Sequence, residues 1–152
     1  MTLDQSCLSE NAAEYEHLRS LVSRLTDQEL ARPLEAGWTV SAVLAHLAFW
    51  DQRALVLLDK WEQAGIGPSP VDTDVINEAT RSLCLVIPPR AAAELALSSA
   101  QQIDEAIERM SADRAAQVES IGQTVRLNRA NHRRDHLVQI EQALAFEPTR
   151  RD

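Results

Sequence analysis

The chain has 152 residues, a length that suits one domain, spanning residues 1–152, with a substantial buried core. Asp and Glu total 23 against 15 Lys and Arg, and the resulting formal charge of −8 argues against nucleic acid or an anionic membrane as a partner. We expect no membrane span and no signal peptide, because no apolar run is long enough and no basic segment follows Met1. Two isolated cysteines, Cys7 and Cys84, form no disulfide framework, so a location in the reducing cytoplasm is predicted.

Apolar periodicity predicts an all-α fold. Four long segments repeat apolar residues at steps of three and four: 6–25, 39–64, 88–111 and 124–146. Thr39 is the predicted N-cap of the second segment, and Pro88 and Pro89 suit the start of the third. Between these two segments, Asp72 or Thr73 can cap a short helix that runs to about Leu83.

The connection between the second and third helices leaves two questions open. Its "LCLVI" stretch at 83–87 is alternatively a strand, although no partner strand is apparent. Four amphipathic helices predict a four-helix bundle. A connection of this length allows the second and third helices to run parallel, but the sequence pattern alone does not fix their direction.

Three of the four histidines are candidates for one metal site. His132 and His136 are four residues apart, so both imidazoles lie on one face of the last helix. His46 lies on the apolar side of the second helix, where an unpaired polar ring would cost free energy. Three imidazoles from two helices would leave coordination positions open, as catalytic metal sites do.

A structural explanation of the same histidines stays open. A single histidine on an apolar helix face is more often a core residue with a hydrogen-bond partner. Pairs at this spacing also arise by chance on helix surfaces. If the histidines only pack in the core, the chain is an interaction module and not a metal-binding protein.

His17 offers a rival site. The "EYEH" stretch at 14–17 has the Glu-x-x-His spacing of di-iron bundles. That chemistry needs a second such motif, and neither His46 nor His136 has a glutamate three residues earlier. Since His17 also lies off the apolar stripe of its helix, we predict that it faces solvent.

Side chains near the histidines can be assigned in two ways. Asp135 either orients a ligand histidine or is a solvated carboxylate. Arg53 either binds an anionic substrate or lies on the surface with its stem packed. Trp50 and Trp61 are either pocket walls or core residues, and no catalytic general base can be assigned.

Two segments together resemble the DinB/YfiT-like superfamily of metalloenzymes: "GWTVSAVLAHLAFWDQ" at 37–52 and "NHRRDHLVQIEQAL" at 131–144. The pattern is a tryptophan before the second helix, a histidine about eight residues later with an aromatic residue near it, and His-x-x-x-His on the last helix. The matching positions are Trp38, His46, Trp50, His132 and His136.

The resemblance implies an up-down-down-up bundle over the whole chain. It also implies a divalent metal ion, zinc or nickel in many relatives, held by His46, His132 and His136. Some relatives are transferases or isomerases that use a low-molecular-weight thiol, and others protect against reactive small molecules. We therefore expect a metal-dependent S-transferase or hydrolase acting on small electrophiles.

Two further expectations accompany this one. The alternative function is a non-enzymatic bundle that binds metal or sequesters a small molecule in stress protection. A homodimer is also expected, because relatives often form dimers. In addition, a small bundle with many large apolar residues exposes an apolar patch that its own core does not bury.

Overall fold

The structure, a computed structural model, describes residues 5–122 and 125–145. The expected all-α fold is confirmed, since these ranges contain seven α-helices, one short 3₁₀ turn and no β-strand. In chain order the helices are α1 (Gln5–Arg24), α2 (Asp27–Leu30), α3 (Val40–Ala64), α4 (Thr73–Val86), α5 (Pro89–Glu108), α6 (Ala112–Ser120) and α7 (Ala130–Ala145).

α3 begins and ends where its sequence predicts. The Thr39 hydroxyl accepts a hydrogen bond of 3.1 Å from the backbone N–H of Ala42, which satisfies one of the free donors of the first turn. At the other end Gly65 has a φ of 88°, a left-handed conformation that favours glycine and stops the helix. α3 therefore extends without interruption past the position of His46.

α4 confirms the predicted short helix and extends it. The Asp72 carboxylate caps it by accepting a hydrogen bond from the N–H of Val75. The helix continues to Val86, so the strand interpretation of residues 83–87 is wrong. Helical geometry turns the side chain of Cys84 inward, where it packs with the alanines of α3.

The region after α5 departs from expectation. α5 ends at Glu108 rather than at Ser111, because the Ser111 hydroxyl caps a separate helix, α6. The last helix begins at Ala130, later than predicted. The predicted limits of that helix, Thr124 and Phe146, lie outside the described residues.

α3 and α5 run parallel to each other and antiparallel to α1. Their first halves share one core cluster, in which Val43 and Ala96 lie, and their second halves share another, with Leu58 and Ile107. Leu21, near the end of α1, joins the cluster formed by the first half of α3. α1 therefore runs against α3.

α7 runs parallel to α1. Polar contacts follow in the same order along both helices: Asn11 with Leu127 and Ala130, Glu14 with Arg134, and His17 with Glu141. The four long helices thus have the up-down-down-up arrangement that the resemblance implies. The long connection through α4 is what allows α3 and α5 to share a direction.

A buried ionic cluster joins the four long helices around Arg133, whose side chain is only 1% exposed. Its guanidinium donates two hydrogen bonds, of 2.7 and 2.8 Å, to the carboxylate of Asp104 on α5. It also donates to the carbonyls of Ala100 and Asn11, and Asp51 on α3 lies 3.6 Å away. A buried charge needs partners of this kind to be tolerated.

His17 lies in the contact between α1 and α7 rather than in open solvent. Its Nδ1 is 3.0 Å from the Glu14 carboxylate, and its Nε2 contacts the carboxylate of Glu141. The prediction that His17 faces solvent is therefore wrong, since the side chain is 31% exposed and bridges two helices. The sequence pattern missed this because Glu141 is far away in the chain.

Two simpler expectations concern membranes and disulfides. Among the described helices none is long and apolar enough to cross a membrane. Cys7 and Cys84 are both buried and are not joined by a disulfide, as their isolation in the sequence predicts.

Homodimerisation stays a prediction. Large apolar side chains of α4 are exposed: Val75, Leu83 and Val86. An exposed apolar patch of this kind is the surface through which a homodimer would form. Light scattering at micromolar concentration measures the mass, and a monomer would contradict the expectation.

Replacing Asp104 with alanine should lower the free energy of unfolding by about 3–5 kcal/mol, because Arg133 then remains buried without its main counter-charge. Urea denaturation followed by circular dichroism measures this change. The matched control is Asp59→Ala, which removes an exposed carboxylate from α3 and should cost less than about 0.5 kcal/mol. Equal small losses in the two variants would contradict the structural role of the cluster.

Stability should depend on pH through His17. Burial alone would lower the pKa of His17, but its hydrogen bonds to Glu14 and Glu141 outweigh burial and raise it. The protonated ring therefore stabilises the fold below about pH 6.5, and this contribution is lost as the pH rises through the raised pKa. His17→Gln should cost more unfolding free energy at about pH 5.5 than at about pH 9. Urea denaturation at both pH values tests this, and an equal cost would refute it.

Candidate metal centre

The structure brings the three predicted histidines together between α3 and α7. One ligand nitrogen from each of His46, His132 and His136 lies within 4.8 Å of those of the other two. The Nε2 atoms of His46 and His132 are 3.1 Å apart, and the three ring centroids are separated by 4.8 to 5.1 Å. In the described part of the chain this is the one group of three or more side chains that could hold a metal ion.

Local structure explains why each ring points to the same place. The i, i+4 spacing stacks His132 and His136 on one face of α7. His46 projects from the buried face of α3 and is 6% exposed. The indole of Trp38, which precedes α3, meets the ring of His46 edge-on at 5.5 Å and restricts its orientation.

The environment keeps two of these rings neutral. Burial, with a smaller contribution from the nearby His136, lowers the pKa of His46 to about 4. Burial also lowers the pKa of His132 to about 3, with the charges of His136 and His46 adding to it. Neutral imidazoles have a free lone pair at neutral pH, which is the form that binds a metal ion.

The distance between His46 and His132 fits one small divalent ion. Two nitrogens at about 2.0–2.1 Å from an ion lie roughly 2.9 Å apart at a right angle and roughly 3.4 Å apart at the tetrahedral angle. The 3.1 Å between His46 and His132 falls in that range. The Nδ1 of His136 is 2.9 Å from Oε1 of Gln139, so this ring donates there and turns its Nε2 lone pair away from Gln139.

The protein groups around His46 do not satisfy all of its hydrogen-bonding capacity. Its Nδ1 is buried and has no hydrogen-bond partner among the described residues. A buried imidazole with one unsatisfied nitrogen costs free energy. A strong bond from its other nitrogen to an ion would offset that cost, so the donor set suits a metal.

The triad lines a pocket of about 590 Å³ between α3, α4 and the start of α7. Trp38 and Trp50 form part of its wall, and the Trp50 indole N–H donates a 3.0 Å hydrogen bond to Asn77 on α4. Trp61 is instead buried in the core among α3, α5 and α6. Trp50 is therefore a pocket wall, whereas Trp61 is a core residue.

Asp135 lines the same pocket but orients neither ligand candidate. Its carboxylate is exposed and forms no hydrogen bond to His132 or His136. Gln139 takes the orienting position instead, at i+3 from His136. Sequence reasoning missed Gln139, although its i+3 spacing is the signal that could have found it.

Asn11 is a second residue that sequence reasoning missed. Its side-chain carbonyl accepts hydrogen bonds from the backbone N–H groups of Arg129 and Ala130, at 2.8 and 3.0 Å. Its amide donates to the carbonyl of Leu127 at 2.9 Å. Asn11 therefore caps α7 from another helix and helps to fix where His132 lies. No local pattern marks a cap that comes from the other end of the chain.

The rival site at His17 does not assemble. Both ring nitrogens contact carboxylates, of Glu14 and Glu141, and the side chain lies apart from the triad. These three residues do not present ligand atoms to one point in the described structure. His17 is therefore a contact between helices.

A family model described as the mycothiol maleylpyruvate isomerase N-terminal domain matches residues 12–142. That range covers most of the chain and contains all three triad histidines. No curated protein and no solved structure matches. The chain therefore belongs to the mycothiol maleylpyruvate isomerase N-terminal domain family, within the DinB/YfiT-like superfamily of metal-binding four-helix bundles.

Proposed function

We propose that His46, His132 and His136 hold one divalent ion, zinc or nickel, and that the chain is a metal-dependent enzyme acting on small electrophiles. The reaction we favour is thiol transfer, with hydrolysis as the related possibility. The observation that supports this proposal best is the convergence of three imidazole nitrogens on a pocket of about 590 Å³.

The ligand set favours catalysis over a closed structural site. Three protein ligands leave positions open, and a bound divalent ion lowers the pKa of a thiol or water and polarises a carbonyl. All three ligand candidates are uncharged when they coordinate. They do not reduce the charge of an ion in the way that carboxylate ligands would.

The chain's own residues give the proposed site its shape. Trp38 and Trp50 present aromatic walls beside the triad, which lower the local polarity and limit water. Gln139 fixes the tautomer of His136 by accepting from its Nδ1. Asn11 and the cluster at Arg133 hold α7 against α3, so that ligands from two helices remain aligned.

The thiol is inferred from the family. The family's name contains mycothiol, a low-molecular-weight thiol, and maleylpyruvate, a small electrophilic acid. We propose that this chain uses a thiol of that class and an electrophile of similar size. The pocket volume is compatible with small substrates of this kind.

Metal binding should require the triad and not the fourth histidine. Protein reconstituted with zinc or nickel should hold one ion per chain, and His136→Ala should weaken binding by more than about 100-fold because one of three ligands is lost. His17→Ala is the matched control and should bind as tightly as the wild type. Elemental analysis and competition with a chelator measure both. If His136→Ala binds as tightly as the control, the ligand assignment is wrong.

Turnover should depend on the same site. Metal-loaded protein is screened with maleylpyruvate and other small electrophiles, each in the presence of mycothiol or another low-molecular-weight thiol. We expect turnover that falls by more than about 100-fold in His46→Ala, as expected for loss of a metal-dependent step. Turnover that persists in His46→Ala would place the activity elsewhere. Tight small-molecule binding without turnover would favour the sequestration alternative.

A further inference from the structure

The first half of α4 is weakly attached to the rest of the protein, although it forms one wall of the pocket beside the histidines. Of the 14 residues of α4 only Cys84, near its end, is buried, whereas α5 buries seven of its 20. Packing of apolar side chains supplies most of the stability of a helix in a protein. Elements with little of it open more easily than the core does. The first half of α4 therefore depends on its polar contacts.

The inner face of α4 changes character along the helix. At its end, Cys84 packs against Ala42 and Ala45 at the start of α3. Between residues 73 and 80 the least exposed side chains are only half-buried, and two of them are polar: Ile76, Asn77 and Thr80. The Thr80 hydroxyl donates a 2.7 Å hydrogen bond to the carbonyl of Ile76 in the same helix. The end of α4 therefore has an apolar anchor on α3 that its beginning lacks.

The segment that precedes α4 is also loosely packed. A methyl group added at Gly65 or Gly67 would meet no described atom within 4 Å, apart from those of neighbours in the chain. Glycines with open space around them are suited to a hinge. After α4 the chain passes directly into α5, and Ile87 packs against the cluster that contains Cys84. The backbone is thus free to bend before α4 and is fixed after it.

Polar contacts connect this loosely packed region to α3. The Trp50 indole N–H donates a 3.0 Å hydrogen bond to the side-chain carbonyl of Asn77. The Arg53 guanidinium donates to the carbonyl and the hydroxyl of Ser69, at 2.9 and 3.2 Å. A typical intramolecular hydrogen bond contributes about 1 kcal/mol, less than the burial of one large apolar side chain. Contacts of this strength hold a wall in place and still break often enough to let it move.

We propose that the first half of α4, residues 73–80, is a lid that swings away from α3 about the end that carries Cys84. The hydrogen bond between Trp50 and Asn77 is the latch of this lid. Asn77 is thus a positioning residue: it fixes both the indole of Trp50 and the lid against α3.

The lid controls access to the histidines. Val71, Thr73 and Asn77 line the same pocket as His132. Outward movement of these residues widens the pocket and admits a ligand, and their return narrows it and excludes water. The inference concerns access to the pocket, so it holds with or without a bound ion.

Nuclear magnetic resonance relaxation dispersion of the metal-free protein tests whether the movement occurs, because it detects exchange on the timescale of lid motions. We expect dispersion with one shared rate at the backbone nitrogens of residues 73–80 and at the indole nitrogen of Trp50. The backbone nitrogens of Ala100 and Ile103, in the buried part of α5, are the reference and should show none. Flat profiles along residues 73–80, or equal dispersion in α5, would overturn the inference.

Modification of His132 by diethyl pyrocarbonate, followed by peptide mass spectrometry of the metal-free protein, measures access to the pocket. Asn77→Ala removes the acceptor of the latch. It should raise the modification rate of His132 about 5-fold, which corresponds to one hydrogen bond of about 1 kcal/mol. Asn77→Asp keeps an acceptor oxygen and should react as the wild type does. Glu78→Ala, at the next and exposed position of α4, is the matched control for the change in helix propensity.

His17 is the internal reference for this experiment, because it lies between α1 and α7 and does not line the pocket. Its modification rate should be the same in all four proteins. An unchanged rate at His132 in Asn77→Ala would contradict the lid. An equal rise at His132 and His17 would also contradict it, because it would show a general loosening of the fold. Both measurements use protein without metal, so their outcome is independent of the proposed function.

Discussion

The position of α7 depends on a buried guanidinium. Arg133 is 1% exposed and is tied to α5 by two hydrogen bonds to Asp104. It also contacts the carbonyl of Asn11 on α1 and the carboxylate of Asp51 on α3. A buried charge is tolerated only while its partners stay in place. The cluster therefore favours one arrangement of the four long helices, whereas apolar packing alone would tolerate small shifts along the helix axes.

That constraint connects the core to the candidate metal centre. His132 immediately precedes Arg133, so whatever fixes the guanidinium also fixes the start of the histidine face. Asn11 caps the same end of α7. On the opposite side α3 carries both His46 and Asp51, and Asp51 pairs with Arg129 at 2.9 Å. One nitrogen from each of three imidazoles on two helices stays within 4.8 Å of the other two because charged side chains on the same two helices are paired nearby.

Sequence patterns predicted the parts that depend on local spacing. The sequence alone shows the i, i+4 histidine pair on the last helix and the position of His46 on an apolar helix face. It also shows the residues that begin and end α3, Thr39 and Gly65. The ionic cluster was not predicted, because a charged residue on an amphipathic helix is normally solvated and the partner of Arg133 lies 29 positions away. α6 was missed because it is short and mostly polar: only Ala115 and Val118 of its nine residues are buried.

The proposed function requires that the three histidines bind one metal ion. The decisive measurement is an anomalous difference map from crystals grown with zinc or nickel above about pH 7, collected at the absorption edge of that metal. We expect a single strong peak about 2.0–2.1 Å from one nitrogen each of His46, His132 and His136. A strong peak at His17 or elsewhere, with no anomalous density among the three rings, would contradict it.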